Sequence, residues 1–175
     1  MRGILLFLTL LLLLPLVQSS LTSQAQALLH WKSTLQTHQP LSSWNPHVHP
    51  CNWTGITCRD TNKRRQVITK IYLSNKGLVG KLDALDFFSL PSIRTLDLSD
   101  NQLSGVIPPS ICLLSKLTYL NLSYNVLSGL IPGSIGNLTN INSLFLWRNN
   151  LFGPIPPEIG KLRNLTSLDL SLIHI

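Results

Sequence analysis

The sequence contains three consecutive blocks that share one fixed period of 24 residues, at 93–116, 117–140 and 141–164. They begin IRTLDLSDNQLSGVIPPSI, LTYLNLSYNVLSGLIPGSI and INSLFLWRNNLFGPIPPEI, so their common frame is LxxLxLxxNxLxGxIPxxI. A short repeat of fixed length is the signature of a solenoid, in which each repeat forms one coil and packs only against its neighbours. The chain is therefore predicted to stack coils along an axis.

Each position of the frame has a structural interpretation, which the second block illustrates. Leu120 and Leu122 alternate with polar residues, which predicts a short strand with one buried face, paired in parallel with its neighbours. Asn125 can donate and accept hydrogen bonds where the chain turns inward, so stacked copies should satisfy the backbone there and one another. Gly129 permits a close bend, and Pro132 removes a donor where strand pairing should stop.

The L-x-G-x-I-P form of this frame resembles the plant type of leucine-rich repeat. That type is found in the ectodomains of receptor-like kinases and in secreted relatives such as polygalacturonase inhibitors. The resemblance implies an α/β repeat solenoid, a right-handed superhelix with a parallel β-sheet on its concave side. We assign residues 68–175 to four repeats and an incomplete fifth, the first of which has Lys76 in the Asn position.

Residues 20–67 precede the repeats, and their segments ALLHWKSTL, LSSW and PCNWTGITC resemble the N-terminal cap of the same plant receptors. A solenoid end exposes its leucine layer, so such a cap is physically required. Helical spacing predicts a helix from Ser23 to Leu35, with Thr22 or Ser23 as its N-cap. Aromatic side chains dominate buried area, so three tryptophans are expected in the core: Trp31, Trp44 and Trp53.

Two cysteines in the cap, Cys51 and Cys58, are predicted to form a disulfide, because a secreted chain meets an oxidising compartment. The alternative is a zinc site that Cys51 would form with His47 and His49. We favour solvated histidines and predict no metal and no cofactor. The third cysteine, Cys112, is expected to be a free thiol at an outer turn, with pairing between molecules as the alternative.

The first 19 residues are predicted to be a secretory signal peptide. Arg2 precedes an apolar run at residues 4–14, and Val17-Gln18-Ser19 offers a cleavage site. An uncleaved signal anchor is the alternative, but the run is short for a membrane span. We therefore expect the secretory pathway and an extracellular or cell-surface location. Sequons for N-glycosylation occur at Asn52, Asn121, Asn137 and Asn164.

Residues 59–70 carry five basic side chains and one acidic one, in a chain with a formal net charge of +7. Secretion argues against a nucleic-acid partner for this run. We favour a solvated hairpin between the cap and the first repeat, with docking to an acidic wall polysaccharide as the functional alternative.

No catalytic constellation stands out, and the kinase motifs are absent from the sequence, so the chain is not predicted to be an enzyme. A further coil begins at Leu165 and the chain stops at Ile175 without a second cap. We interpret it as a truncated form of a longer receptor. The resemblance would place more repeats, a membrane helix and a serine/threonine kinase downstream, with the full-length relative in the plasma membrane.

Positions that the frame leaves variable are expected to face outward on the concave surface. An exposed aromatic and cationic cluster is predicted there, with the composition of protein-binding hot spots: Tyr119, Tyr124, Phe145, Trp147 and Arg148. The alternatives are that it packs against a missing segment or has no binding role.

Two functions remain open. We favour the ligand-binding part of a plant receptor-like kinase ectodomain, recognising a secreted peptide, a protein or a co-receptor ectodomain. The alternative is a short secreted inhibitor or scaffold that binds a wall-degrading enzyme or a wall polymer.

Overall fold

A computed structural model describes residues 20–37, 39–61 and 65–172 of the chain. The predicted signal peptide, Lys63 and Arg64 of the basic run, and residues 173–175 lie outside the described residues. Within these described ranges, one α-helix, α1, spans Leu21–Thr34. Ten strands follow: Ile56–Asp60 (β1), Gln66–Tyr72 (β2), Val79–Lys81 (β3), Thr95–Asp97 (β4), Gln102–Ser104 (β5), Tyr119–Asn121 (β6), Ser128–Gly129 (β7), Ser143–Phe145 (β8), Asn150–Leu151 (β9) and Ser167–Asp169 (β10).

The main sheet confirms the predicted solenoid. Its strand order is β1-β2-β4-β6-β8-β10, and every pair from β2 onward is parallel. The register pairs Leu96 with Leu120, Leu120 with Leu144, and Leu144 with Leu168. Equivalent leucines therefore stack into one continuous core. Leu168, in the last strand described, is 45% exposed because only one side of it meets a coil in the described part of the chain.

Two short parallel sheets, β3 with β5 and β7 with β9, take one strand from each of the first four coils, after the position that the frame gives to Asn. We did not predict them, because a leucine followed by a glycine indicated only a bend. The backbone around Leu103 is nevertheless extended and pairs with Gly80 of the preceding coil. The three 24-residue coils each close on the outer side with a 3-10 turn, at Pro109–Leu113, Gly133–Asn137 and Pro157–Lys161. Cys112 lies in the first of these turns and is free and partly exposed.

The cap helix begins earlier than predicted. Ser20 is its N-cap, since the Ser20 hydroxyl accepts a hydrogen bond from the Ser23 N–H at 3.1 Å, so the prediction of Thr22 or Ser23 is wrong. Gln24, on the buried face of α1, accepts the Ile68 N–H at 2.7 Å and ties the helix to β2. This contact was not predicted, because a polar residue at a helical position ordinarily faces solvent.

The three tryptophans of the cap are buried, as predicted. Trp44 stacks on Trp53 with ring centroids 5.5 Å apart, and Trp31 lies 6.5 Å from Trp44. Each indole N–H donates to a backbone carbonyl, at 2.9 to 3.0 Å. The cap thus buries large aromatic surfaces without leaving their polar atoms unsatisfied.

A disulfide joins Cys51 to Cys58, as predicted, and Cys58 lies in β1. Because its sulfur is in that bond, Cys51 is not available to the alternative zinc site. The described residues contain no group of His, Cys, Asp or Glu side chains placed to hold a metal. Strand β1 pairs antiparallel with β2, which is the hairpin expected for the basic run, and it carries the cap onto the edge of the main sheet.

The buried asparagines bond the coils together. Asn125 Nδ2 donates to the carbonyls of Leu98, Leu122 and Ser123, and its Oδ1 accepts the Leu103 N–H. Asn101 and Asn149 make equivalent sets of bonds in their coils. None of these bonds joins one Asn side chain to the next, so that part of the prediction is wrong. Backbone groups of two successive coils use up the hydrogen-bonding capacity of each amide.

The residue before each of these asparagines has a left-handed backbone, which was also not predicted. The φ angles are 54° at Asp100, 53° at Tyr124 and 51° at Arg148. This conformation is unfavourable for residues other than glycine and persists only where the surroundings hold it. In this solenoid the Asp100 N–H donates to the Ser123 carbonyl and the Tyr124 N–H to the Trp147 carbonyl, so stacking of the coils maintains the turn.

Asn125→Ala is expected to lower the free energy of unfolding by about 3 kcal/mol, because buried backbone groups lose their partner. Urea denaturation followed by circular dichroism measures the difference. Asn150→Ala, an exposed position in the next coil, is the matched control and should change the free energy by less than about 0.5 kcal/mol. Equal effects of the two substitutions would contradict this role.

Candidate functional site

The concave face of the main sheet presents two columns of side chains, one residue per coil. The first column contains Tyr72, Asp97, Asn121, Phe145 and Asp169. The second, two residues further along each chain segment, contains Ser74, Ser99, Ser123, Trp147 and Ser171. Because side chains alternate along a strand, both columns lie on the side opposite the buried leucines.

Three coils share a local motif in these columns. Asp97 Oδ1 accepts from the Ser99 N–H at 3.1 Å and from its hydroxyl at 2.6 Å. Asp169 does the same for Ser171, at 2.9 and 2.7 Å. Asn121 Oδ1 accepts the Ser123 N–H at 3.1 Å. The coil between Asn121 and Asp169 has Phe145 and Trp147 at these two positions instead. The solenoid therefore forms there without the motif, and the two aromatic residues need another explanation.

The structure brings the predicted aromatic cluster together as two groups. Tyr119 and Phe145 meet edge to face, with centroids 5.8 Å apart. Tyr124 and Trp147 do so at 4.4 Å, and the Arg148 guanidinium lies 5.0 Å from the centre of the Tyr124 ring and 5.8 Å from that of Trp147. These are favourable geometries for ring pairs and for a cation over a ring.

The prediction that the whole cluster is exposed is wrong. Tyr124 is 40% exposed and Arg148 is exposed, but Tyr119, Phe145 and Trp147 are half-buried because they pack on their neighbours. The expectation that all variable positions face solvent also fails: Asp97, Ser99 and Ser123 are buried. A motif hydrogen bond holds the Ser99 hydroxyl against Asp97, and the Tyr119 phenol of the adjacent coil lies beside Asp97.

Asp97 lies beside Tyr119 and affects the pKa of the Tyr119 phenol. Partial burial raises the pKa of the Tyr119 phenol above its usual value, and the negative charge of Asp97 raises it further. The Asp97 Oδ2 atom lies 3.5 Å from the phenol oxygen. Asn121, whose Nδ2 donates to the same oxygen at 3.4 Å, acts in the opposite direction. The phenol therefore remains neutral over the physiological range and can donate a hydrogen bond.

A shallow groove of about 520 Å³ runs beside Tyr124 and Trp147. Six residues line it: Ser99, Asp100, Asn121, Ser123, Tyr124 and Trp147. The Ser123 side chain is 1% exposed, and its hydroxyl has no hydrogen-bond partner among the described residues. Polar groups buried in this way are uncommon and call for a physical reason. Neither the groove nor the unpartnered hydroxyl could be predicted, because serine at this position is part of the repeat in three other coils.

The predicted glycosylation sites differ in accessibility. Asn52, Asn137 and Asn164 are exposed. Asn121 is half-buried within β6, and both polar atoms of its side chain are hydrogen-bonded. Occupancy of all four stays a prediction, and Asn121 is the least accessible of them.

Ser123→Ala is expected to leave the free energy of unfolding unchanged or to raise it slightly, because the substitution removes a buried hydroxyl that has no partner. Ser99→Ala is the matched control, since its hydroxyl contacts both Asp97 and Ser74. It should lower the free energy by about 1 to 2 kcal/mol. Urea denaturation of the two variants checks this, and a destabilised Ser123→Ala protein would show that the hydroxyl is bonded.

Asp97→Asn is expected to lower the pKa of Tyr119, although burial keeps it above the usual value. A raised pKa in the folded state means that the neutral phenol stabilises the fold below the unfolded pKa, and that this stabilisation is lost as the pH rises through the folded pKa. Ultraviolet titration of the phenolate, with Tyr119→Phe to assign the signal, measures the shift. Asp169→Asn, the equivalent change in the last coil, should leave it unaltered. An unchanged pKa in Asp97→Asn would contradict the assignment.

Comparison with known proteins agrees with this architecture. A family profile described as leucine rich repeat N-terminal domain matches residues 21–59. Profiles described as leucine rich repeat match residues 66–127 and 140–162. None of the helices in the described ranges is long and apolar enough to cross a membrane.

The chain is 40% identical over 114 residues to a probable leucine-rich repeat receptor-like protein kinase of Arabidopsis thaliana, covering 60% of this chain and 10% of that kinase. In the Arabidopsis complex of GASSHO1/SCHENGEN3 with CASPARIAN STRIP INTEGRITY FACTOR 2, the receptor ectodomain is similar at a TM-score of 0.76 and 34% identity, over 86% of this chain and 18% of that one. A chain of the Arabidopsis BIR3–SERK2 complex is similar at 0.71 and 35% identity, over 84% and 79%. The chain therefore belongs to the family of plant leucine-rich repeat receptor-like kinases, whose ectodomain part it matches.

Proposed function

We propose that this chain is the ligand-binding, N-terminal part of a receptor-like kinase ectodomain, and that the aromatic cluster on its concave face binds a peptide or a protein. The observation that carries the proposal is the replacement of the Asx–Ser motif by Phe145 and Trp147 in one coil. Neighbouring coils show that the fold also forms with hydrogen-bonded polar residues at these positions. Large aromatic side chains there serve recognition better than they serve folding.

The cluster has the physical properties of a binding surface. Tyr, Trp and Arg are the residues that most often dominate binding energy. Edge-to-face contacts hold Tyr124 and Trp147 in place before a ligand arrives, and Arg148 lies over both rings. A preorganised surface loses less conformational entropy on binding, so more of the contact energy appears as affinity.

The relatives support a protein or peptide as the partner. One similar ectodomain was solved in complex with CASPARIAN STRIP INTEGRITY FACTOR 2, and another similar chain in a complex of BIR3 with SERK2. By analogy, we propose a secreted peptide or a second ectodomain as the partner of this chain. The kinase activity of its relatives is not proposed for these residues, because the matched segments are cap and repeats.

The proposed location is the cell surface or the extracellular space. Residues 1–19 have the composition of a secretory signal. The Cys51–Cys58 disulfide and the exposed sequons at Asn52, Asn137 and Asn164 are typical of secreted glycoproteins. We assign residues 20–67 to the cap and residues 68–175 to the repeats.

The proposal is tested by panning a library of random displayed peptides on the full chain and on Trp147→Ala. The wild type should enrich a set of related peptides, and Trp147→Ala and Tyr124→Ala should each lower the affinity for them about 30-fold, the effect of a hot-spot residue. Surface plasmon resonance with synthetic copies of the enriched peptides measures the loss.

Phe88→Ala is the matched control, since Phe88 is an exposed aromatic residue outside the cluster. It should bind the enriched peptides as the wild type does. Equal affinity of Trp147→Ala and wild type would overturn the proposal. Retention of the chain on pectin without any peptide enrichment would favour a wall-binding scaffold instead.

A further inference from the structure

We propose that the groove beside Tyr124 and Trp147 is a subsite for a cationic side chain, lysine or arginine, of a peptide ligand. The inference rests on the proposed function and adds the chemistry that the ligand must carry. Three features of the groove lead to it: an unpartnered hydroxyl, a set of hydrogen-bond acceptors that includes a carboxylate, and an aromatic wall.

The Ser123 hydroxyl lacks a partner for a reason that can be traced to its neighbours. Ser99 and Ser171 each donate to an Asp two residues earlier in the chain, and Ser99 also contacts the hydroxyl of Ser74 in the adjacent coil. Ser123 has Asn121 in place of the Asp and Trp147 in place of the next serine. Leaving a buried hydroxyl unsatisfied is unfavourable, so a ligand that hydrogen-bonds to it gains affinity.

The charge in the groove determines whether a cationic or an anionic group can bind there. Asp100 is the only charged residue among the six that line it. Asp100 donates its backbone N–H to the Ser123 carbonyl at 3.0 Å, which places the two residues side by side. The buried Asp97 lies directly behind Ser99, 2.6 Å from its hydroxyl. Carboxylate, amide and hydroxyl oxygens together form a set of acceptors that suits an ammonium or guanidinium group and repels an anion.

The aromatic wall favours the same kind of group. Trp147 and Tyr124 line the groove, and the structure already shows a cation held over both rings, that of Arg148. Arg148 does not itself line the groove, whereas both rings and Asp100 do. The apolar stem of a lysine or arginine can lie along the rings while its charged end reaches the acceptors. Because Ser123 is 1% exposed, its contact with the ligand requires the groove to open slightly.

Non-specific attraction does not account for such binding. The chain carries 14 Lys and Arg against 7 Asp and Glu, so its overall field repels cations. A cationic probe that binds must therefore be held by local contacts.

The probes for the test are N-acetyl-lysine methylamide and N-acetyl-arginine methylamide, with N-acetyl-norleucine methylamide as the uncharged analogue. They are titrated into the full chain while the indole N–H of Trp147 is followed by nuclear magnetic resonance. Trp147 is the partly exposed tryptophan of the described residues, whereas Trp31, Trp44 and Trp53 are buried. We expect the cationic probes to bind up to about fivefold more tightly than norleucine, the effect of one exposed ion pair.

Asp100→Asn should abolish this preference, and Ser123→Ala should weaken the cationic probes about tenfold without changing norleucine. Glu158→Gln, on an outer 3-10 turn, is the matched control and should behave as wild type. Norleucine binding as tightly as lysine, or an Asp100→Asn protein that keeps the preference, would overturn the subsite.

The two proposals fail in different ways. If random peptides are enriched and depend on Trp147 but the cationic probes show no preference, the subsite is wrong and the binding surface stands. If the probes show the preference but no peptide is enriched, the groove binds a cationic group, and peptide recognition is wrong. Failure of both experiments overturns both.

Discussion

Three coils of this protein each depend on one buried asparagine. At the end of every strand the chain turns inward, and the backbone groups at that turn have no partner in the sheet. Asn101, Asn125 and Asn149 supply the missing bonds to their own coil and to the preceding one. The same stacking holds the left-handed residue before each asparagine. Side chains at that residue and on the concave strands are thereby free to vary without loss of the fold.

That freedom explains where the candidate site lies. Coils with an Asp and a Ser in the two concave columns satisfy both the serine N–H and its hydroxyl through short hydrogen bonds, whereas Asn121 accepts only the N–H of Ser123. Phe145 and Trp147 interrupt this pattern, and the interruption has two consequences. It creates a partly exposed aromatic surface, and it places Trp147 where a serine could contact the Ser123 hydroxyl, which also has Asn121 in place of Asp. The binding surface and the subsite beside it thus have a common origin in one irregular coil.

The cap is stabilised differently from the coils. Three tryptophans and a disulfide form a small core of their own, and a hairpin then adds the cap to the sheet as its edge strand. Sequence patterns predicted the tryptophans, the bridge and the hairpin, because residue type alone determines burial and redox chemistry there. The N-cap at Ser20 and the contact from Gln24 to Ile68 were missed, because each depends on where a chain segment comes to lie in space.

By itself, the sequence determined the repeat period, the parallel stacking, the capping domain and the residues of the aromatic cluster, because each leaves a periodic or compositional signature along the chain. Tertiary structure alone decided which of those residues are exposed, that Asp97, Ser99 and Ser123 are buried, and that two short additional sheets form. It also decided that Ser123 lacks a partner beside Asp100. These outcomes arise from contacts between coils 24 residues apart, and the sequence pattern of one coil does not specify what its neighbour covers.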